Sequence, residues 1–506
     1  MGITRFRIPS AQSFEDFSDV YRAYLSGFDG RIFATRVEVD GAVVAFEKFS
    51  RESAKLNVAW PVKGMGKPVL RTTSLSEKEE PYVLPVELAR GKISQIRDQF
   101  SIWSLQGFQI SEDISSRDRE CFRLFSQAIA LGDDLLEMCR LADLAIQKAC
   151  GVAELMTKAY AQHTLERLKN KTTRLPVSLG CHLGELVPSG ELEEKFCETF
   201  DVAIVPVDWK NIEPNEGQCN WSRPDEQLDW CQKKQLLVHG GPLLNLSPQG
   251  LPDWLWKWEQ DFRSLQSIVC DFVETAMTRY CGSIRHWEIC SRVNTGGALT
   301  LTEEDRLSLV ARTLEVARQV DEDLQFNIRI DQTWGEYQAR GQHRLSPIQF
   351  VDALARSGLG LTGVSLELAQ GFQPRGSYSY DTLEFSRLID HWSLLNLPLT
   401  VVLAFPSGDE VDPLSNSDLE VENSSLWNSP WSEDLQAAWL DELVPLILAK
   451  DAVVRIEWAQ LTDQSAHYYP NAGLIDPRGN AKQIFKKLCR YHQSYWETIP
   501  KSQEST

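Results

Sequence analysis

The chain has 506 residues, too many for one ordinary domain and enough to bury a large core. Apolar residues at 42% and charged residues at 24% are globular proportions and exclude extended disorder away from the ends. A net charge of −19 argues against partners that are nucleic acid or an anionic membrane, and favours neutral or cationic ones.

Met1-Gly2-Ile3-Thr4-Arg5-Phe6-Arg7 contains no apolar signal core, and no apolar run later approaches membrane-spanning length. The 11 cysteines include none in the first 120 residues and no CxxC pair, so neither a disulfide framework nor a zinc ribbon is indicated. A reducing, cytoplasmic location is the expectation. Residues 1–90 read as a β-rich, sandwich-like module. Arg31 to Val39 alternates, Asp40-Gly41 is a turn, and Ala42 to Glu47, Asn57 to Val62 and Pro81 to Val86 continue as strands. Over 91–174 the period becomes helical, from about Glu87. Leu141, Leu144, Ala145, Ala149, Val152, Leu155, Met156, Ala159 and Tyr160 form one stripe on a long helix, and Lys169 to Arg174 is a polar linker. Across 175–495 strand-like and helix-like segments alternate, the pattern of a (β/α)8 TIM barrel, with 496–506 as a tail.

Within that barrel, Arg285 to Arg292 reads as the fourth strand. Phe200 to Trp209 followed by Glu213-Pro214-Asn215-Glu216-Gly217 reads as the second strand and its turn. His239 to Leu243 and Leu251-Pro252-Asp253-Trp254-Leu255 give the third, and Trp458 to Asp463 with Gly473 to Asp476 the eighth and its closing segment. In this order the runs resemble glycoside hydrolase family 10, the xylanase family. The resemblance implies a retaining glycosidase mouth that engages a β-1,4-linked glycan, with no metal and no cofactor. It also implies which positions the chemistry needs. The family's acid/base Glu falls on Arg292, preceded by Ser291, and a guanidinium cannot donate a proton at neutral pH. Its nucleophile falls on Leu403 or a neighbour in Pro398 to Phe405. The sugar-holding Glu-Asn pair falls on Ile204 and Val205, the site His on Gly241, and the next Trp and His on Asn245 and Leu246. Retaining hydrolysis needs two carboxyl groups about 5–5.5 Å apart, and neither inherited one is present.

Strand alternation turns Glu288, Cys290 and Arg292 toward the lumen. Glu288 then lies about 13 Å below Arg292, as a partner for a lumen Arg or Lys. On the fifth and sixth strands Asp331 and Glu367 reach the carboxyl-end mouth, and Glu336 follows in Trp334-Gly335-Glu336-Tyr337, which resembles a segment of a divergent branch of the family. Asp331, Glu336 and Glu367 are the candidate rebuilt catalytic cluster, against a reading in which they join Arg292 or Arg329 in a structural network. Trp209, Trp254, Arg292, Trp334 and Trp458 are the candidate substrate-binding residues. His182 and Glu185, near the first strand, read as structural rather than as metal ligands. Gly358, Gly360 and Gly363 match a dinucleotide fingerprint but precede a strand, so they read as a turn. Three readings stay open: a sugar-binding protein with the family chemistry replaced, a glycosidase with a rebuilt site, and a scaffold without a sugar ligand. Oligomeric state is not legible.

Overall fold

The computed structural model describes residues 2–8, 18–170, 175–248, 250–341 and 343–495, so the linker residues 171–174 and the tail 496–506 lie outside it. Eight parallel strands close a barrel: Ser178–His182, Val202–Val205, Leu237–Gly240, His286–Ser291, Gln325–Ile330, Leu361–Ala369, Leu399–Ala404 and Val453–Trp458. Closure is completed where the eighth strand pairs with the first and the third with the fourth. Helices between consecutive strands cover the outside, from Glu191–Thr199 to Gln483–Tyr495. Most strand residues are buried, as expected for a parallel sheet covered on one face and packed with side chains on the other.

The β-rich region is two four-stranded sheets. One runs Arg36–Asp40, Val43–Lys48, Gly2–Arg7, Tyr82–Val83, and the other Ile32–Phe33, Tyr24–Ser26, Lys55–Ala59, Val69–Arg71. The run read as one strand from Arg31 to Val39 is divided between them. The run at Pro81 to Val86 contributes only two strand residues. A helix begins at Leu84 instead, with Pro85 in its first turn, where the missing N–H costs nothing. Phe6, Phe46, Leu25 and Val58 of the sheets share one core with Ile93, Trp103, Ile146 and Met156 of the helices Leu84–Leu105 and Leu135–Lys169. The sheets therefore pack with helices as one unit rather than as a closed sandwich. The stripe on Leu135–Lys169 is buried at Ala145, Ala149, Val152 and Met156 and half-buried at Leu141, Leu144, Ala159 and Tyr160, while Leu155 is 40% exposed.

This unit docks on the flank of the barrel. Val69 donates its N–H to Ser379 at 2.8 Å, Thr35 to Ala339 at 3.0 Å, and the hydroxyls of Tyr24 and Tyr380 meet at 3.0 Å. Arg22 pairs with Glu422 at 2.8 Å, and Lys92 with Asp381. The docking thus falls on the loops after the fifth, sixth and seventh strands and on the helix Thr382–Trp392. The barrel mouth is left clear.

Candidate functional site at the barrel mouth

A ladder of alternating charge fills the lumen. At its base, the eighth strand turns Arg455 and Glu457 inward, and His239 Nδ1 of the third strand lies 2.8 Å from Arg455 and 3.0 Å from Glu457. One layer up, Arg329 Nε sits 2.8 Å from Glu288. At the top, Arg292 Nη2 donates to Glu367 at 2.6 Å and to the Tyr469 hydroxyl at 3.0 Å, and Nη1 donates to Tyr468, whose ring lies 3.9 Å below the guanidinium carbon. Three arginines thus answer three glutamates. Burial opposes charge on Glu457, yet His239, Arg455 and Arg329 hold its carboxyl down at about 2. Burial lifts Glu288 to about 7 against the pull of Arg329. Burial also disfavours the Arg292 guanidinium, but Glu367, Tyr469 and Asp331 outweigh it and hold the charge more firmly than usual.

Two backbone features fix the upper layers. Arg292 has φ +58, a left-handed conformation uncommon outside glycine, and its N–H and C=O are tied to Arg329 and Gly296 at 3.1 and 2.8 Å. One layer down, a Cβ on Gly241 would lie 2.3 Å from the Glu288 carbonyl oxygen, so no side chain can stand there.

Above the ladder opens a cleft of about 270 Å³, at the small end of ligand sites. Its lining includes Glu185, Asp208, Arg292, Glu367, Tyr468 and Tyr469. The candidate residues distribute unevenly around it. Asp331 is not part of the lining. Both its oxygens accept from Thr295 Oγ1 at 2.8 Å, and burial with nearby Glu367 raises its carboxyl to about 6 against Arg292 and that hydrogen bond. Glu336 is a correction to the expected cluster, because its loop turns it toward the docked sheet. There it accepts from the Tyr378 N–H at 3.3 Å, and burial pushes it up to about 7.

The tryptophans require a second correction. Trp209 is 0% exposed, stacked on Phe272 at 4.5 Å with Nε1 on Glu213 at 2.8 Å, and Trp458 is 1% exposed with Nε1 on the Ala472 carbonyl at 2.9 Å. Neither ring can present a face to a sugar. Trp254 binds the Glu213 carbonyl at 2.9 Å, edge-on to Trp209 and outside the cleft lining. Trp334 stacks on Tyr380 at 4.1 Å, on the flank that faces the sheets. Of the five residues expected to bind substrate, Arg292 alone lines the mouth.

Sequence reasoning passed over Asp208, Asn211, Tyr468 and Tyr469, and gave Glu185 only a structural role. Asp208 caps the helical turn Trp209–Ile212 just past the second strand, and Asn211 Nδ2 donates to Asp208 at 3.1 Å and to Glu185 at 3.4 Å. Burial raises the half-buried Asp208 to about 6, and Glu185 adds to the rise. Counting from the strand end would have placed Asp208 at the mouth. At the rim, Asp412, Asp463 and His467 have ligand atoms within 4.8 Å of one another. Their oxygens are already occupied by donors. Asp412 takes His467 Nε2 at 2.8 Å and the Asn471 N–H at 2.9 Å, and Asp463 takes Gln460, Gly473 and Lys482. The trio clasps the closing loop. Among the described residues, no helix is long and apolar enough to cross a membrane.

The family model for glycosyl hydrolase family 10 matches residues 202–332, the second to the fifth strand with the start of the following loop. Among curated proteins, endo-1,4-beta-xylanase 3 of Hypocrea jecorina is 28% identical over 117 residues, 22% of this chain and 33% of that one. Endo-1,4-beta-xylanase 1 of Gibberella zeae is 28% identical over 81 residues, 16% of this chain and 22% of that one. The chain thus spans a third or less of these relatives. Among solved structures, xylanase 10B of Thermotoga maritima aligns at TM-score 0.46 and 15% identity, over 65% of this chain and 99% of that one. A family 10 protein of Paenibacillus barcinonensis aligns at TM-score 0.47 and 17% identity, over 63% and 96%.

Proposed function

We propose, from the match of residues 202–332 to the glycosyl hydrolase family 10 model, that the mouth engages a β-1,4-linked glycan or oligosaccharide without the family's retaining hydrolysis. One observation carries this reading. At the position that the resemblance assigns to the acid/base stands Arg292, whose guanidinium is locked 2.6 Å from Glu367 and capped by two tyrosines. Opposite it, the seventh strand Leu399–Ala404 is buried throughout and contributes no carboxylate. Glu367, the one candidate catalytic carboxylate in the cleft lining, is committed to the ladder. Asp331 is committed to Thr295, and Glu336 lies among tyrosines on the flank. Sugar hydroxyls would instead meet Glu185, Asp208, Asn211 and the tyrosine pair, a polar set suited to hydroxyl recognition.

The test is titration of β-1,4-oligosaccharides by calorimetry beside a reducing-sugar assay on xylan. Saturable heat without product supports the reading. Robust product in both the wild-type protein and Arg292→Ala refutes it, and silence in both assays favours a scaffold. A second reading, hydrolysis by another carboxylate pair, is favoured by Asp208 and Glu185 sharing Asn211 in the cleft, with Asp208 raised to about 6. Loss of any measured hydrolysis in Asp208→Asn, with binding retained, identifies that pair.

A further inference from the structure

A second cleft, of about 260 Å³, lies where the sheet of Tyr24–Ser26, Lys55–Ala59 and Val69–Arg71 meets the barrel flank. It shares no lining residue with the mouth. Lys55 and Arg71 enter from the sheet, and Arg387 from the helix Thr382–Trp392. Thr333 and Trp334 enter from the loop after the fifth strand.

The charge balance here is the reverse of the chain's. Glu384, buried in the wall, is taken by Arg71. Asp381 and Asp390, near Arg387 along the helix, are taken by Lys92 and by Lys450, the latter at 2.7 Å. Asp29 and Asp98 remain, both exposed, and Asp29 accepts the Arg31 N–H. Among the described residues, neither Lys55 nor Arg387 has a carboxylate within ion-pair distance. Burial lowers the pKa of each of the three cations. Arg71 and Arg387 lower Lys55 further, and Arg387 does the same to Arg71; Asp98 at Lys55, and Asp98, Asp390 and Asp381 at Arg387, offset this only in part. His391, also in the lining, is lowered by burial and offers a neutral ring. Converging cations in a partly desolvated cleft raise the free energy of the empty site, and a bound oxyanion relieves it.

The other walls suit a small organic ligand rather than a bare ion. Trp334 stacks on Tyr380 at 4.1 Å, and Phe28 stands at the rim, 89% exposed. Thr333 Oγ1 and Trp334 Nε1 are buried without a protein partner.

We propose that this flank cleft is an anion-binding site for a small phosphorylated or carboxylated molecule, its oxyanion held among Lys55, Arg71 and Arg387. The site is independent of the mouth. The full chain is titrated calorimetrically, in low-salt buffer free of phosphate, with inorganic phosphate, glucose 6-phosphate and glucuronate. The expected result is saturable binding of at least one probe, weakened at least about tenfold in Lys55→Gln/Arg387→Gln. Preference between the sugar phosphate and the uronate identifies the oxyanion. Because neither cation is paired, the double variant without ligand melts at the wild-type temperature or above it. No saturable binding of any probe at millimolar concentration overturns the proposal. So does undiminished binding by the double variant, or a lower melting temperature without ligand.

Discussion

Replacing Glu367 by Gln isolates the central claim about the mouth, that Glu367 serves the lumen ladder and not catalysis. The two side chains are 5% and 3% exposed, and the oxygen to nitrogen distance is 2.6 Å. Removing one partner of such a buried pair costs about 3–5 kcal/mol, because the other charge stays behind without compensation. Two features pull the cost toward the lower end. Gln retains an acceptor for Nη2, and Asp331 still attracts the guanidinium. The expected loss is therefore about 3 kcal/mol. Arg292→Met alone strands Glu367 beside Arg329, which lines the same cleft. The double variant, with both charges gone, should lose less than the sum of the single losses by roughly 0.5–3 kcal/mol. Urea unfolding followed by tryptophan fluorescence measures all three. A Glu367→Gln midpoint indistinguishable from wild type would refute the structural role and return Glu367 to the list of catalytic candidates.

The remaining predictions follow from burial, close approach and protonation. Trp209→Ala and Trp458→Ala should each cost about 3–5 kcal/mol of stability and leave oligosaccharide affinity of the folded protein unchanged; a selective loss of affinity contradicts the burial argument. Gly241→Ala should prevent the barrel from reaching its native circular dichroism and melting transition, since the added carbon would stand 2.3 Å from the Glu288 carbonyl; wild-type melting would show that the strands can part there. Burial raises Glu336 from an ordinary 4.5 to about 7, so the folded chain keeps a proton that the unfolded chain has released, and stability from this group falls as pH rises from about 4.5 through 7. Glu336→Gln should remove a decline on the order of 3 kcal/mol over that window, and parallel wild-type and variant melting curves against pH would refute it.

The barrel was legible because its signals are periodic and ordered: buried apolar runs of strand length, each followed by an amphipathic helix, eight times. The β-rich region was less so. The alternation from Arg31 to Val39 carries no mark of where one strand leaves its sheet for another, and Pro85 reads equally as a strand end or a helix start. At the mouth, alternation says which strand residues turn inward, and it reached Glu288, Arg292 and Glu367. It says nothing of loops, where Glu336 turns toward the docked sheet and Asp208 caps a turn. Nor does it show whether a tryptophan near a strand end offers a face or fills a core, because that depends on neighbours such as Phe272 that are distant in sequence.

The positions that the family resemblance marks as polar share a physical logic here. Ile204 and Val205 are buried in the second strand, Gly241 is pressed against the fourth, and Leu403 belongs to the barrel core. These are apolar or minimal side chains where sugar-holding groups would need to project. The charges concentrate instead in the lumen, where each arginine meets a glutamate. A lone arginine at position 292 would be an uncompensated buried charge, and Glu367 with two tyrosine hydroxyls satisfies it. Placing a glutamate at position 292 alone would therefore set two carboxylates face to face and leave both tyrosines without their donor. Arg292→Glu should lower stability by several kcal/mol and yield no xylan hydrolysis. Arg292→Glu/Glu367→Gln, which relieves the repulsion, should recover part of that stability and still yield none, since Leu403 supplies no nucleophile. Hydrolysis by either variant would show that the mouth retains a working second carboxylate, with Asp208 the first to replace.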